Sequence, residues 1–397
     1  MSNEHTRPCL LTIGTCNRRA SISVVTRSFL RYHPNGQVYI YLADRPDPRM
    51  SPLDLPGEVF LAEQLPLPGG RRFLFKYTAF ELCCALKPYA IKHALQRSGV
   101  THLVYLDSDV LVISPFWNDL EAAWRTHPIL LTPHLIRLPL DLSPEAQLSL
   151  LQHGTCNAGF LAVKHTTDSL TFLDWWGCLL DTHCTFDPMN NVSGDQRWLD
   201  LAASSSPAVG MLRDPGLNVG YWNLHERALQ EETPGKWRCN GKPLKFFHFS
   251  GFDRQRLTTK VHCSDPVAMR ISDHYGAVLE DSGDLEFRRF PYGWKSYSNG
   301  DPIPLQHRDL ILGNHPDLQH VADPFSLPEM QLEWDTIQRL GTNLEPFRIG
   351  HRFKQSQALI AEMQQLHRHP VIGRILKLWT RYINPALAPS YRTESKD

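Results

Sequence analysis

The first half of the chain alternates between short apolar runs and segments with helical spacing. Apolar, β-rich runs at residues 10–14, 38–43, 59–62 and 103–106 predict strands. Between them, residues 20–31 predict a helix, and residues 77–96 predict a long amphipathic helix interrupted by Pro88. Because strands that alternate with helices form parallel sheets covered on both faces, this rhythm predicts an α/β, Rossmann-type domain.

The pattern becomes looser in the second half of the chain. Helices are predicted at residues 116–125, 142–152, 170–181 and 194–203, and strands at 129–132, 156–163, 209–212 and 245–249. From about residue 265 the chain is rich in proline, histidine and charge, and helices are expected only near its end. We therefore predict one domain over residues 1–264, followed by a mostly helical C-terminal extension over residues 265–397.

Composition excludes several classes of protein. Of the 397 residues, 42% are hydrophobic and 21% are charged, as in ordinary soluble globular proteins. The formal net charge is zero, which gives no global attraction to nucleic acid. The nine cysteines are odd in number, scattered and without a CxxC pair, which favours reduced thiols over a disulfide framework or a zinc site. With no evident signal peptide and no membrane-spanning run, we expect a cytoplasmic protein.

A pair of carboxylates carries the strongest chemical signal. Asp107 and Asp109, separated by Ser108, follow the apolar run at residues 103–106. Buried carboxylates cost several kcal/mol unless something compensates them, so a pair at the mouth of a strand requires a cation. Carboxylate oxygens at this spacing suit Mg²⁺ or Mn²⁺, which are completed by water and by substrate phosphates. The pair therefore predicts a metal–diphosphate site at the carboxyl end of a buried strand.

Four other polar segments are candidates for the same site, and each also has a purely structural interpretation. His248 is either a satisfied core histidine or a third metal ligand, and Gly251 allows close approach to a phosphate. The amide of Asn157 either satisfies a turn or faces a sugar hydroxyl. Asp195 and Gln196 are either favoured residues at the start of a helix or a carboxylate–amide pair that binds a sugar. The polar end of the first strand, residues 12–17, is suited to a nucleotide base or ribose.

The order of these motifs resembles a known family. A DSD after an apolar strand, an NAG before another strand, a DQ pair and an HFSG occur in that order within residues 8–255. This set is similar to the metal-dependent nucleotide-sugar glycosyltransferases of the GT-A fold, and most of all to glycosyltransferase family 8. The resemblance implies a single GT-A-like domain with a mixed central sheet. It also implies transfer of a hexose from a nucleotide-diphosphate sugar, with a UDP-sugar favoured, to an acceptor hydroxyl.

The same resemblance assigns roles to individual residues. Asp107, Asp109 and His248 would bind Mn²⁺ or Mg²⁺. The donor-binding residues would be Thr15, Asn17, Lys87, Asp107, Ser108, Asn157, Gly251 and Arg254. Asp195 and Gln196 would be the catalytic residues, with Asp195 nearest the anomeric carbon. The sequence departs from the family pattern after Gly251, where a lysine usually meets the diphosphate; Arg254, Lys76 and Lys87 are the candidates here.

Other functions compete with this interpretation. A haloacid-dehalogenase-like phosphatase also carries a strand ending in DxD, but it prefers Thr or Val where Leu111 stands, and its motif usually lies on the first strand. A metal-dependent nucleotidyltransferase would open with a glycine-rich basic loop, of which residues 14–19 are only a faint version. A non-catalytic carbohydrate- or nucleotide-binding protein would use some of the ten tryptophans for stacking.

The C-terminal segment at residues 369–383 predicts an amphipathic helix. Its apolar residues fall on one broad face, and Arg374, Lys377 and Arg381 recur on the other. Such a helix can lie on an anionic membrane surface or pack against the first domain or a second subunit. We favour packing, because only three basic residues would contribute to membrane attraction, at roughly 1 kcal/mol each. Peripheral membrane contact at the inner face of the membrane and a homodimer remain the two alternatives for this extension.

Overall fold

A seven-stranded mixed sheet forms the centre of the molecule. The structure is a computed structural model that describes residues 6–45, 55–187, 192–252, 265–313, 318–326 and 330. In order across the sheet, its strands are β10 (Val209–Met211), β6 (Ile129–Pro133), β7 (Cys156–Lys164), β4 (His102–Leu106), β1 (Cys9–Gly14), β2 (Gln37–Leu42) and β3 (Glu58–Leu61), numbered in chain order. Strands β4, β1, β2 and β3 are parallel neighbours, as are β10 and β6, whereas β7 runs antiparallel to both β4 and β6. The predicted α/β class with a mixed central sheet is confirmed.

Shorter strands are β5 (Val110–Val112), β8 (Phe186–Asp187), β9 (Val192–Ser193), β11 (Leu229–Thr233), β12 (Lys236–Cys239), β13 (Lys242–Pro243) and β14 (Phe246–His248). Strands β5 and β14 pair with each other, and this pair positions the candidate site.

Helices cover the sheet on both sides. They are α1 (Arg19–Tyr32), α2 (Arg71–Lys76), α3 (Ala79–Ala85), α4 (Lys87–Leu95), α5 (Trp117–Ala123), α6 (Pro144–His153), α7 (Thr167–Leu180), α8 (Trp198–Ser205), α9 (Pro266–Asp281), α10 (Asp284–Phe287) and α11 (Leu305–Leu312). Short 3₁₀ helices lie at Cys16–Arg18, Ala62–Gln64, Tyr221–Glu226 and Gly293–Lys295.

Alternation along the strands divides the core into two layers. In β4, Tyr105 packs with residues of α3, α4 and α7 on one face, and Val104 packs with residues of α1 and α5 on the other. Neighbouring residues of a strand point to opposite faces, so a strand that is covered on both faces must be apolar throughout. This explains why the run before the carboxylate pair is uninterrupted in the sequence and why Asp107, the first residue after it, emerges at the edge of the core.

Three sequence predictions need correction. The long helix predicted over residues 77–96 is two helices, α3 and α4, because the chain breaks at Leu86 ahead of Pro88. The helix predicted from residue 194 begins at Trp198 instead, because Gly194 adopts a φ of +54° and residues 194–197 form turns. Helices were expected only near the end of the extension, but α9 begins at Pro266 with Asp265 as its N-cap.

The start of the extension contributes to the same core. Ile271 and Tyr275 of α9 belong to a buried cluster with Val24 of α1 and Phe247 of β14. The domain division at residue 264 and the amphipathic helix over residues 369–383 stay predictions, and the latter lies outside the described residues. In the described part of the chain, no helix has both the length and the apolar character needed to cross a bilayer.

Candidate metal centre and cleft

Three predicted metal ligands meet at one edge of the central sheet. Asp107 and Asp109 lie in the turn between β4 and β5, and His248 is the last residue of β14, opposite Val110 of β5. The N–H of Phe249 donates to the carbonyl oxygen of Asp109 over 2.8 Å. His248 Nε2 therefore lies 3.1 Å from Asp109 Oδ1 and 3.7 Å from Asp107 Oδ2. The ligand atoms of the three side chains lie within 4.8 Å of one another.

The composition of this group fits a hard divalent cation. Two carboxylates and one imidazole form a mixed oxygen–nitrogen donor set that suits Mn²⁺ or Mg²⁺. The side chains of Asp107 and Asp109 are 30% and 29% exposed, whereas that of His248 is 3% exposed. The group is therefore anchored in the core on the histidine side and open to solvent on the carboxylate side, where phosphate oxygens or water can complete the coordination.

Before a cation binds, the electrostatics of the group favour an ionised Asp109 and a protonated His248, whose Nε2 proton a bound metal ion would replace. Burial raises the pKa of Asp109, but His248 lowers it by more, so that the pKa of this carboxyl lies below its ordinary value. Burial lowers the pKa of His248, but Asp109 and Asp107 raise it by more. The hydroxyl of Tyr105 also donates to Asp107 Oδ1. When no metal ion is bound, His248 and the Tyr105 hydroxyl compensate the negative charge of the two carboxylates.

A buried lysine connects the metal group to a second carboxylate. Lys87, at the start of α4, lies with its Nζ 3.3 Å from Asp107 Oδ1 and 2.7 Å from Asp195 Oδ2. Its Nζ also donates to the carbonyl oxygen of Ala158 over 3.0 Å. Burial lowers the pKa of Lys87, but the two carboxylates raise it well above its ordinary value, so the ammonium stays charged. All three acceptors belong to the protein, so the positive charge of Lys87 compensates the negative charges of Asp107 and Asp195.

The side chains converge on one cleft of about 570 Å³. Six of the predicted site residues line it: Lys87, Asp107, Asn157, Asp195, Gln196 and His248. Its outer wall carries the aromatic residues Phe80, Phe186, Tyr221 and Trp222 together with residues of α6. A cleft of this size and mixed lining is of the kind that binds small molecules.

Other predicted donor-binding residues do not line the cleft. Thr15 and Asn17 lie just beyond β1, where Thr15 Oγ1 donates to Asn17 Oδ1 over 2.5 Å. Ser108 lies beside the end of β1, because a Cβ added to Gly14 would lie 3.6 Å from Ser108 Oγ. Gly251 has a φ of +65° and lies three residues after the end of the cleft-facing β14. Arg254 lies outside the described residues.

Lys76 is separate from the cleft. Its Nζ lies 2.6 Å from Asp181 Oδ1, beyond the end of α7, and it does not line the cleft. Of the three cations considered for the diphosphate, Lys76 and Lys87 are therefore each paired with carboxylates of the protein.

Gln196 has hydrogen bonds that the sequence does not indicate. Its Oε1 accepts from the N–H of Ala158 over 3.0 Å, and its Nε2 donates to the carbonyl oxygen of His153 over 2.8 Å. The side chain therefore ties the start of β7 to the end of α6. Its catalytic role remains a prediction, as does that of Asp195, which lies in the turns before α8.

Two polar residues of the site were missed by sequence reasoning. His134 and Asn218 are buried beside Asn157, and Asn218 also contacts His248. Asn218 adopts a left-handed φ of +50°, a conformation that asparagine tolerates better than most residues. The sequence GLNVG around it was recognisable as a segment that fits neither a strand nor a helix. Its contacts, however, are with residues distant in the chain.

Comparison with known protein families found no family model that matches. The chain is 28% identical over 178 residues to the uncharacterized protein YfnF of Bacillus subtilis (strain 168), a match that covers 43% of this chain and 57% of YfnF. It is 24% identical over 178 residues to the uncharacterized protein YfnD of the same organism, covering 44% of this chain and 55% of YfnD. The chain thus spans only about half the length of these curated relatives.

Several solved structures to which the chain is similar are glycosyltransferases. They include the galactosyltransferase LgtC in complex with donor and acceptor sugar analogs (TM-score 0.40, 13% identity, 72% of this chain and 98% of that chain). Another is GlyE of Streptococcus pneumoniae TIGR4 (TM-score 0.40, 14% identity, 74% and 67%). A third is mouse xyloside xylosyltransferase 1 (TM-score 0.37, 14% identity, 61% and 97%). The fold class rests on the strand order and register above, not on these likenesses.

Proposed function

We propose that this chain is a metal-dependent glycosyltransferase that moves a hexosyl group from a UDP-sugar to an acceptor hydroxyl. The observation that carries the proposal is that the buried ammonium of Lys87 contacts two carboxylates, those of Asp107 and Asp195. Asp107 belongs to the metal group, Asp195 faces the same cleft, and Lys87 contacts both. A donor bound with its diphosphate at the metal group would place its sugar toward Asp195.

Asp107, Asp109 and His248 would hold a divalent cation, which would supply positive charge to neutralise the departing diphosphate. The open side of the two carboxylates leaves room for phosphate oxygens. Asp195 supplies negative charge near the anomeric carbon, where positive charge develops as the glycosyl bond breaks. Burial raises the pKa of Asp195, and the ammonium of Lys87, 2.7 Å from that carboxylate, offsets part of this rise and holds the side chain in place.

The acceptor would enter across the aromatic wall of the cleft. Phe80 and Phe186 are 59% and 48% exposed, and their rings lie edge to face at 5.6 Å. Tyr221, 40% exposed, lines the same wall beside Trp222. Exposed aromatic faces suit stacking on the apolar side of a sugar ring. We therefore propose a glycan acceptor, and we place the reaction in the cytoplasm.

The phosphatase alternative is less well supported by the geometry. As a nucleophile, Asp107 would have to approach a phosphate freely, but it accepts from the Tyr105 hydroxyl and faces Lys87. It also follows the fourth strand of the chain rather than the first.

Ligand-induced stabilisation tests the proposal. We expect the melting temperature of the full chain to rise with a UDP-sugar plus Mn²⁺, more than with either alone, because binding to the folded state stabilises it by mass action. GDP- and TDP-sugars serve as comparisons, and EDTA should remove the effect. Slow release of free sugar and UDP in the presence of Mn²⁺ would show that the bound donor is activated.

Two results would contradict the proposal. One is the absence of stabilisation or sugar release with any nucleotide sugar. The other is release of inorganic phosphate from phosphate monoesters without any turnover of nucleotide sugars, which would support the phosphatase instead. Stabilisation by a nucleotide sugar without any turnover, even with acceptor glycans present, would support a binding protein.

A further inference from the structure

A chain of buried hydrogen bonds leads from a backbone carbonyl group to the proposed metal ligand His248. His134 Nδ1 lies 2.7 Å from the carbonyl oxygen of Gly154, and His134 Nε2 lies 3.3 Å from Asn157 Nδ2. Asn157 Oδ1 accepts from Asn218 Nδ2 over 2.9 Å, and Asn218 Oδ1 lies 3.1 Å from His248 Nδ1. All four side chains are at most 7% exposed, so water does not compete freely for these groups.

Backbone groups determine which atom donates and which accepts in each of these hydrogen bonds. The carbonyl oxygen of Gly154 can only accept, so His134 Nδ1 must carry the proton, and a neutral His134 then accepts at Nε2. Burial lowers the pKa of His134 to about 4, which keeps it neutral near pH 7. Asn157 therefore donates to His134 through Nδ2 and presents Oδ1 on its other side.

A second backbone group fixes the same orientation independently. The N–H of Gly159 can only donate, and it reaches Asn157 Oδ1 over 3.0 Å. Asn218 must then donate to Asn157 through Nδ2, and its other Nδ2 hydrogen goes to Thr132 Oγ1 over 2.8 Å. Only Oδ1 of Asn218 remains for His248, and it can only accept.

We propose that Asn218, Asn157 and His134 are positioning residues that hold His248 protonated at Nδ1, so that Nε2 presents its lone pair to the divalent metal. The inference rests on the proposed function, since it assigns these residues to the metal group of that site. Hydrogen-bonded partners of this kind fix the tautomer and the ring orientation of metal-binding histidines. Through these hydrogen bonds, residues of β6, β7, the segment after β10 and β14 together orient one proposed ligand atom, Nε2 of His248.

Asn157 uses most of its hydrogen-bonding capacity within the protein. Both acceptor positions of its Oδ1 are occupied, by Gly159 N–H and by Asn218, and one of its two Nδ2 hydrogens goes to His134. One N–H is left for the cleft. The contribution of Asn157 to donor binding is therefore mainly indirect, through the orientation of His248.

The chain provides a matched pair of variants for the test. Asn218 and Asn240 both adopt left-handed φ angles, +50° and +47°, and both hydrogen-bond through their side chains. Asn240 lies in the turn between β12 and β13 and does not line the cleft. Glycine is permissive at such φ angles, so Asn218→Gly and Asn240→Gly each delete an amide without backbone strain.

The primary measurement is the dissociation constant of Mn²⁺ alone from the full-length protein, obtained from the electron paramagnetic resonance signal of the free ion. We expect Asn218→Gly to raise the dissociation constant roughly tenfold to a hundredfold, as is usual when a partner of a metal ligand is lost. Asn240→Gly should bind as the wild type does. Thr132→Val, which removes one acceptor of Asn218 and keeps its contact with His248, should show a smaller loss in the same direction.

Nitrogen-15 spectra of the histidine rings in the Mg²⁺-bound protein give a readout that general loosening of the fold would not produce. In the wild type, His248 should carry its proton on Nδ1 alone, and in Asn218→Gly it should populate both tautomers. Wild-type Mn²⁺ affinity in a folded Asn218→Gly would overturn the inference and leave the proposed function standing. If Asn218→Gly does not fold, unchanged Mn²⁺ affinity in Thr132→Val overturns it.

The two proposals can fail separately. In one outcome, the wild type binds Mn²⁺ and Asn218→Gly binds it more weakly, but the wild type turns over no nucleotide sugar. That outcome would refute the glycosyltransferase and support the positioning role. A wild type that binds no Mn²⁺ would overturn the positioning role, because His248 would then have no metal to face.

Discussion

At the residue scale, the site is held by charges that compensate one another. Asp107 and Asp109 face His248, and Lys87 faces Asp107 and Asp195. Each of these groups is costly to bury alone and tolerable together with its partners. The effect of a substitution should therefore depend on whether it removes a metal ligand or the lysine that compensates Asp107 and Asp195.

Asp109→Asn should abolish metal-dependent activity and leave the fold intact. The amide keeps the shape of the side chain, but it removes the charge that attracts a divalent cation. Mn²⁺ binding and sugar release should both be lost, with an unchanged circular dichroism spectrum. Asp119→Asn, at an exposed carboxylate on α5 paired with Lys245, is the control and should behave as the wild type. Full activity of Asp109→Asn in EDTA would disprove the metal site.

Gly159→Ala should damage the metal group by displacing His248. A Cβ at position 159 would lie 2.2 Å from His248 Cε1 and 2.7 Å from its Nδ1, closer than atoms can pack. We expect a loss of stability of roughly 1–3 kcal/mol from overpacking and a marked loss of Mn²⁺ affinity. Gly177→Ala in α7, where the nearest atom would be 3.3 Å away, is the comparison. Unchanged Mn²⁺ affinity in Gly159→Ala would contradict this placement of the histidine ring.

The sequence indicates some of these residues and not others, for a physical reason. Asp107 and Asp109 stand out because a buried strand leads into them, and His248 because an apolar strand surrounds it. Asn218 interacts with partners 86, 61 and 30 residues away in the chain, so no local pattern marks it. The NAG motif contains Gly159, but the reason for a glycine there, the space needed by His248, depends on the pairing of β5 with β14.

At the scale of elements, the break between α3 and α4 positions the compensating cation. Leu86 separates the end of α3 at Ala85 from the start of α4 at Lys87, and Pro88 lies in the first turn of α4. The side chain of Lys87 is 3% exposed and points into the site, whereas Lys92, later in the same helix, is 33% exposed and pairs with Asp174. The sequence marks the interruption through Pro88, but the burial of Lys87 depends on where β4 ends and β7 begins.

Lys87→Met should destabilise the protein strongly. It leaves Asp195 buried without its cation, and breaking a buried pair in this way typically costs about 3–5 kcal/mol. Lys92→Met, which breaks an exposed pair on the same helix, should cost about 1 kcal/mol or less. Urea denaturation measures both. Adding Asp195→Asn to Lys87→Met should recover part of the loss, and a double variant no more stable than Lys87→Met would argue against a direct interaction.

At the scale of the whole molecule, several buried and half-buried histidines make the fold sensitive to acid. Burial lowers the pKa of His33, His102, His134 and His307 to about 4 each. In the unfolded chain these groups take up protons near pH 6.5, whereas in the folded protein they stay neutral until about pH 4. The unfolded state therefore binds more protons in this window, and the free energy of unfolding falls as the pH drops from about 6.5 toward 4.

His33→Phe should make that fall shallower. His33 is 6% exposed and packs against Phe29, Phe116 and Trp117, and its Nε2 has no hydrogen-bond partner among the described residues. An aromatic ring without a titrating nitrogen keeps the packing and removes one group that gains a proton on unfolding. We expect urea denaturation from pH 7 to pH 5 to show a smaller loss of stability in this variant than in the wild type. His165→Gln, at an exposed position, should keep the wild-type slope. Parallel slopes for His33→Phe and the wild type would show that His33 is protonated equally in both states, contrary to its burial.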